Sequence, residues 1–268
     1  MNRLKMKTRT RLQLTFLLGM FSGAVCAHDV PFASQAPVLD GDPSDAAWVS
    51  GEWVSMDKLM WGTQPTSDDF SGRYKLVWTA DHLYLLAEIT DDVLHDSHPD
   101  PLDQYWEDDA LEVFIDADAS GGDHLFSYNA FAYHISLDNQ AADMGPFLSE
   151  QDRLAEKRNV RLFPDHVQSV WKRSGDEPYK MYWEVRLTVM GDDFRDSYEE
   201  GQKPAQPVHL KTGMTLGFML AYCDSDGKTE GGGREHFMGD VEIEPVDGDR
   251  NLGYIDAGVF GHITLTKQ

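Results

Sequence analysis

Apolar and polar residues alternate with period two in segment after segment of this chain, and no stretch beyond residue 27 sustains a helical period. Alternation of this kind puts successive side chains on opposite faces of an extended backbone, so it predicts strands. The clearest case runs Tyr74-Lys75-Leu76-Val77-Trp78, then Thr79-Ala80-Asp81-His82, then Leu83 to Thr90. Two strand-forming runs across a short turn predict a β-hairpin. Further strands are predicted over Ala110 to Asp116, Leu125 to Ser136, Val167 to Arg173, Lys180 to Val189, Thr215 to Cys223 and Gly261 to Thr266. Many antiparallel strands punctuated by Gly, Asp and Pro, without intervening helices, mean an all-β sandwich or barrel.

The same alternation sorts the faces of each strand. Leu111, Val113 and Ile115 share one face, and Glu112, Phe114 and Asp116 share the other, which is expected to point outward. Met181, Trp183, Val185, Leu187 and Val189 form an apolar face opposite Tyr182, Glu184 and Arg186. The apolar faces are expected to form the core. No internal repeat and no dividing linker interrupts the chain, so residues 28–268 are read as one sandwich domain. Two stretches read as surface loops: Gly191 to Pro207, and the acidic, glycine-rich Asp224 to Gly233. Loops at the end of a sandwich are where function usually sits.

Residues 1–27 have the three parts of a secretory signal. Five basic residues from Arg3 to Arg11 precede a largely apolar run from Leu12 to Val25, and Val25-Cys26-Ala27 supplies small residues before a cut. The run is shorter than the ~20 apolar residues of a membrane span and is broken by Gln13, Thr15, Gly19 and Gly23. The expectation is an exported protein, periplasmic or extracellular, without a transmembrane segment in the mature chain. Removing the signal takes five of the 23 basic residues and none of the 46 acidic ones, leaving a formal charge of −28. A nucleic acid would be repelled by such a surface, so that class of partner is excluded. Cys223 is the sole cysteine of the mature chain, which rules out an internal disulfide. Lying in the apolar run Leu216 to Cys223, it reads as a buried thiol rather than a nucleophile.

Candidate chemistry begins at Tyr105-Trp106-Glu107-Asp108-Asp109, where a large aromatic sits among charges just before a strand. Such a tryptophan either lids the core or offers a platform on which the apolar face of a sugar ring stacks, with nearby carboxylates accepting hydrogen bonds from hydroxyls. Glu112, six residues on, is the candidate acceptor.

Four segments together resemble a family 9 carbohydrate-binding module. They are Leu39-Asp40-Gly41-Asp42 leading to Trp48, the hairpin end Glu88-Ile89-Thr90-Asp91-Asp92, the run from Trp106 to Asp116, and the closing Phe260-Gly261-His262-Ile263-Thr264-Leu265. The resemblance extends from about Pro37 to Thr266, and Trp-x-x-Asp-x-x-Glu-x-Phe-x-Asp is its most specific element. It implies a non-catalytic, all-β antiparallel β-sandwich, immunoglobulin-like or jelly-roll-like, that holds a sugar between two tryptophans, with structural calcium elsewhere. Trp106 takes the place of the first tryptophan and Glu112 that of a sugar-contacting glutamate. An arginine expected near Ser127 is replaced, although Asn129 remains. Where the second tryptophan should follow the Asp224-Ser225-Asp226-Gly227 loop, the chain has Arg234-Glu235-His236-Phe237-Met238, which leaves Phe237 as a smaller stacking face. The candidate ligand-binding set is therefore Trp106, Glu112, Asn129 and Phe237.

Calcium candidates are Asp116, Asp118 and Asp123 in one turn and Asp224 and Asp226 in another, because oxygen-rich turns with glycine suit a hard cation. The same aspartates equally suit capping of turn amides. Two alternatives to oligosaccharide or polysaccharide binding stand beside it. Related sandwiches bind b-type haem through Met with His or Lys, for which this chain offers His124, His134, His236 and Met238, although no spacing marks a ligand pair. A glycoside hydrolase would need an acid and a base or nucleophile at fixed separation, and no pair of carboxylates is singled out. No catalytic residue is assigned.

Overall fold

A computed structural model describes residues 27–229 and 233–267 of the chain. The signal read at residues 1–27 lies outside the described residues except for Ala27. Fourteen strands are formed among the described residues: β1 (His28–Pro31), β2 (Val54–Ser55), β3 (Lys58–Gly62), β4 (Phe70–Trp78), β5 (Leu83–Asp91), β6 (Ala110–Asp116), β7 (Phe131–Ser136), β8 (Ala141–Gly145), β9 (Asn159–Leu162), β10 (Val167–Arg173), β11 (Lys180–Leu187), β12 (Thr215–Asp224), β13 (His236–Gly239) and β14 (Gly261–Thr266). One five-residue helix, Glu150–Leu154, breaks the pattern, with its first turn capped by the Ser149 hydroxyl.

The strands make two sheets. Nine form a larger sheet in the order β1-β14-β12-β6-β7-β8-β9, with β13 paired to the far half of β12 and β3 paired to β13. Five form the second sheet, ordered β10-β11-β5-β4-β2. Except for the parallel β1–β14 pair, every pairing is antiparallel. The predicted hairpin is β4–β5, closed by Trp78 opposite Leu83 and by the Thr79 amide on the His82 carbonyl at 2.9 Å.

Between the sheets lies the core that the alternation anticipated. Leu111, Val113 and Ile115 of β6 meet Met181, Trp183, Val185 and Leu187 of β11 in one buried cluster with Phe131, Tyr133, Leu220 and Tyr222. The predicted strand beginning at Leu125 starts only at Phe131, because residues 124–130 turn back: the Ser127 amide bonds the His124 carbonyl and the His124 amide bonds Ile255. The Gly191 to Pro207 stretch carries no strand or helix, as expected, but it is not all surface. Phe194 packs edge-on against Tyr128 and Phe131, and Asp196 accepts from the Tyr128 hydroxyl and Asn159, sealing one end of the core.

The other face of β6 is not outward. Glu112, Phe114 and Asp116 are all buried, because a second apolar layer covers this face. Phe114, Ala132, Met219, Ala221 and Cys223 from the sheet pack there against Met60, Phe237, Ile243 and Phe260. The sheet is thus sandwiched on both sides, which alternation within one strand cannot report.

The outer face of the smaller sheet is braced in a different way. Glu184, buried on β11, accepts from the amides of Asp40 and Gly41, both at 2.8 Å, and from Trp48 Nε1 at 3.0 Å. This gives the Leu39-Asp40-Gly41-Asp42…Trp48 motif a structural role: it pins the N-terminal crossover to the sheet. Gly41 sits at φ +73°, and a Cβ there would lie 2.7 Å from Lys172 Cγ, so both backbone and space demand glycine.

Candidate functional site

The covered face of the larger sheet carries a cavity of about 160 Å³ whose floor is Glu112 of β6 and His134 of β7. These two residues are direct partners in the strand register, so the antiparallel pairing itself brings them together. His134 Nε2 lies 2.6 Å from Glu112 Oε1. The thiol of Cys223, from β12 on the other side, donates to the same oxygen at 3.0 Å. Glu112 is 2% exposed. Burial alone would raise its pKa, but the His134 and Arg234 charges and these hydrogen bonds outweigh burial and hold it below the ordinary carboxylate value. Every contact to Glu112 from the described residues falls on Oε1, leaving Oε2 for a ligand.

Trp106 lines the same cavity from the loop before β6 and is half-buried. It is held by an edge-on contact with Tyr105 at 5.0 Å, and Tyr105 in turn stands edge-on to His134 at 4.7 Å. Glu107 fixes the indole: Oε1 accepts from Trp106 Nε1 at 2.8 Å while Oε2 accepts from the Arg234 amide at 3.2 Å. Asp108 receives the amides of Ser97 and His98, tying down the preceding loop. The run from Trp106 to Glu112 is therefore a continuous piece of site construction.

The structure separates the other two predicted ligand residues from Trp106 and Glu112. Phe237 is 1% exposed within the second apolar layer, and the Arg234 guanidinium covers its ring at 4.8 Å, so it presents no open face for stacking. Asn129 donates to the Gly121 carbonyl at 2.8 Å and borders a different, shallow depression with Asp192 and Arg195. In their place the cavity is walled by Arg234, Arg158, Asp143 and Tyr254. Sequence reasoning missed these because they come from loops and a short strand far apart in the chain. One signal was present: Arg234 stands in the segment that departs from the family pattern. Asp143 is buried, and both its oxygens accept backbone amides, from Met144 at 2.7 Å and Ala132 at 3.1 Å. Burial is the main cause that pushes its pKa well above the ordinary value, against the lowering effect of those two amides.

Cys223 is a free, buried thiol, as the sequence suggested, and burial pushes its pKa far up. Of the residues weighed for haem, Met238 lies in the core and His236 is engaged by Thr63 and Asp69. His124, on the cavity wall, bonds the Gly253 carbonyl at 2.8 Å.

The aspartates divide into two kinds. Asp116 accepts the amides of Gly121 and Asp118, and Asp118 accepts that of Ser120; Asp123 pairs by backbone with Asp256. The carboxylates of Asp116 and Asp118 thus serve their own turn. Asp224 instead joins Asp91 and Asp109 in a fully buried trio whose oxygens lie within 4.8 Å of one another, with a second trio of Asp69, Asp92 and Asp226. The Asp226 Oδ1 atom is buried without any hydrogen-bond partner. Both all-oxygen donor sets suit a hard divalent cation, the first by its three buried carboxylates and the second by the orphaned oxygen of Asp226. Burial raises Asp91 to about 6 and Asp224 to about 8, with neighbouring carboxylates pushing Asp224 further in the same direction.

A two-sheet sandwich with an aromatic-edged, hydrogen-bonding cavity beside an acidic cluster defines a β-sandwich ligand-binding module. Residues 39–268 match the carbohydrate family 9 binding domain-like family, and the chain belongs to that family of non-catalytic carbohydrate-binding modules. It is 30% identical over 80 residues to the endo-1,4-beta-xylanase A of Thermotoga neapolitana, covering 30% of this chain and 7% of the xylanase. It is also 30% identical over 105 residues to the exoglucanase XynX of Acetivibrio thermocellus, covering 39% of this chain and 9% of that protein. The chain thus spans less than a tenth of these relatives. Among solved structures it is similar to a family 9 module from Caldicellulosiruptor kristjanssonii in complex with cellotriose, with a TM-score of 0.60, 17% identity and coverage of 91% of this chain and 95% of that one. A protein of Bacteroides uniformis superposes with a TM-score of 0.54 at 12% identity, covering 89% of this chain and 98% of that one. At these identities the likeness establishes the fold. Among the described residues no helix is long and apolar enough to cross a membrane.

Proposed function

We propose that this protein binds the end of an oligosaccharide or polysaccharide without cleaving it, seating one sugar ring against Trp106 with its hydroxyls on Glu112. The observation that carries this reading is the convergence of the two residues on one cavity, with Trp106 locked by Glu107 and Glu112 retaining a free oxygen. The cellotriose and glucose bound by the Caldicellulosiruptor module support a sugar of related shape. Binding without cleavage is supported by the family, one of non-catalytic modules; in the cavity Glu112 Oε1 serves His134 and both Asp143 oxygens accept backbone amides. The basic and apolar pattern of residues 1–27 supports export, to periplasm or medium, for a role in carbohydrate utilisation. The trio Asp91, Asp109 and Asp224 supports a structural calcium.

Trp106→Ala is the direct test. The indole is half-buried at the cavity edge, so its loss should leave the fold in place while removing roughly 2 kcal/mol of binding, about thirtyfold in affinity. Calorimetric titration with cello-oligosaccharides alongside a melting curve reads both. An alanine variant that binds as tightly as the parent would defeat the assignment, and a parent chain that binds no sugar across a broad panel would defeat the function.

A further inference from the structure

We infer that the sugar taken by this cavity carries a carboxylate, so that the preferred ligand is a uronic acid; this deepens the carbohydrate-binding reading and rests on it. Two arginines line the cavity, in a chain where acidic residues outnumber basic ones 46 to 23. Such an excess of negative charge repels an anionic ligand unless the site supplies local positive charge.

Arg234 is held flat and left with donors to spend. Its guanidinium lies 4.8 Å from the Phe237 ring centre and 5.2 Å from that of Trp61. Among the described residues it makes one hydrogen bond, Nη1 to Cys223 Sγ at 3.3 Å, and stands 3.9 Å from Glu112 Oε1. A guanidinium has five N–H donors in a planar fork, and aromatic stacking fixes that plane without consuming them. Nε and Nη2 are thus available beside the cavity that Arg234 lines with Glu112. A planar fork matches a planar carboxylate with two parallel hydrogen bonds.

Arg158 adds the second charge. It is exposed, lines the cavity and forms no ion pair among the described residues. Its charge is felt at Tyr105 on the cavity wall. The acidic side chains of the cavity have partners of their own: Asp143 accepts two backbone amides, and Glu112 Oε1 lies 2.6 Å from His134 Nε2 as well as 3.9 Å from Arg234 Nη1, which leaves the rest of the guanidinium fork and all of Arg158 unpaired among the described residues. Arg234 also lies in the segment, Arg234 to Met238, where the family pattern would supply a second tryptophan, so a cation reaches the cavity from the stretch that lacks the second stacking ring.

The test is calorimetric titration of the calcium-saturated full chain with matched pairs, glucuronic acid against glucose and galacturonic acid against galactose, with glucose 6-sulfate as a third arm. At least one acid should bind about tenfold more tightly than its neutral partner, the gain expected of a charge-assisted bidentate contact. The ratio should fall toward one when salt is raised from about 0.05 to about 0.5 M, and also in Arg158→Gln, whose exposed position spares the packing. Neutral sugars that bind as well as or better than their acids would overturn the inference and leave carbohydrate binding standing. So would a preference indifferent to both salt and Arg158→Gln, or tighter binding of the sulfate ester than of either acid. Failure of every sugar, acidic and neutral, would take down both readings.

Discussion

Calcium should raise the melting temperature of this protein on the order of 10 °C over chelator at pH 8. A cation present at a thousand times its dissociation constant stabilises the folded state by about 4 kcal/mol, and a domain of this size shifts about 2–4 °C per kcal/mol. The effect should depend on pH in a definite direction. Asp91 at about 6, Asp224 at about 8 and Asp109, pushed well above the ordinary range, all have folded pKa values above their unfolded values near 4. Between roughly pH 4 and pH 8 the folded chain therefore holds more protons than the unfolded chain, and in chelator stability falls as pH rises through that window. Calcium needs the ionised oxygens, so its stabilisation should grow over the same range. Asp224→Asn should invert the pattern at pH 8, making the chelated protein more stable and the calcium increment smaller. A melting temperature indifferent to millimolar calcium at pH 8 would show that no cation belongs to this cluster.

Glu184→Ala should destabilise the fold by about 2–6 kcal/mol. The substitution orphans the buried Gly41 amide and Trp48 indole N–H, each at about 1–3 kcal/mol, and releases the Asp40 amide as well. Because Glu184 faces away from the core on the sheet opposite the cavity, sugar affinity at temperatures below melting should stay at the parental value. Glu184→Gln keeps one acceptor oxygen and should lose less. Chemical denaturation of the three proteins measures the series. An alanine variant within about 0.5 kcal/mol of the parent, the range of an ordinary surface change, would show that the N-terminal crossover is held by something else.

The architecture was legible because strand alternation is a local signal. Each of the predicted strands is present, and the inward faces of β6 and β11 meet as their patterns required. Strands β1, β2, β3, β8, β9 and β13 escaped detection for a local reason too: β1, β2, β9 and β13 are two to four residues long, Ala141–Gly145 has small side chains and Lys58–Gly62 runs Leu-Met-Trp without a polar residue between, so none carries enough alternation to be read. The site was half legible. Trp106 and Glu112 belong to one run of sequence whose spacing survives folding. Arg234, Arg158 and His134 reach the cavity from separate segments, and His134 is brought to Glu112 only by the β6–β7 register.

The sequence by itself determined the strands, their inward faces, the single buried thiol and the placement of an aromatic beside a carboxylate, because each of these rests on residues within a few positions of one another. Only the tertiary structure decided that the polar face of β6 is covered rather than outward. That cover depends on Phe237, Ile243 and Phe260 arriving from more than a hundred residues away. For the same reason Phe237 became core and Arg234 became cavity wall: the two are three positions apart on the loop and strand following β12, and it is the pairing of β13 with both β12 and β3 that buries one and presents the other. The division of the aspartates followed the same rule. Asp116 and Asp118 found amides within five residues, whereas Asp91, Asp109 and Asp224 met only when three strands closed around them.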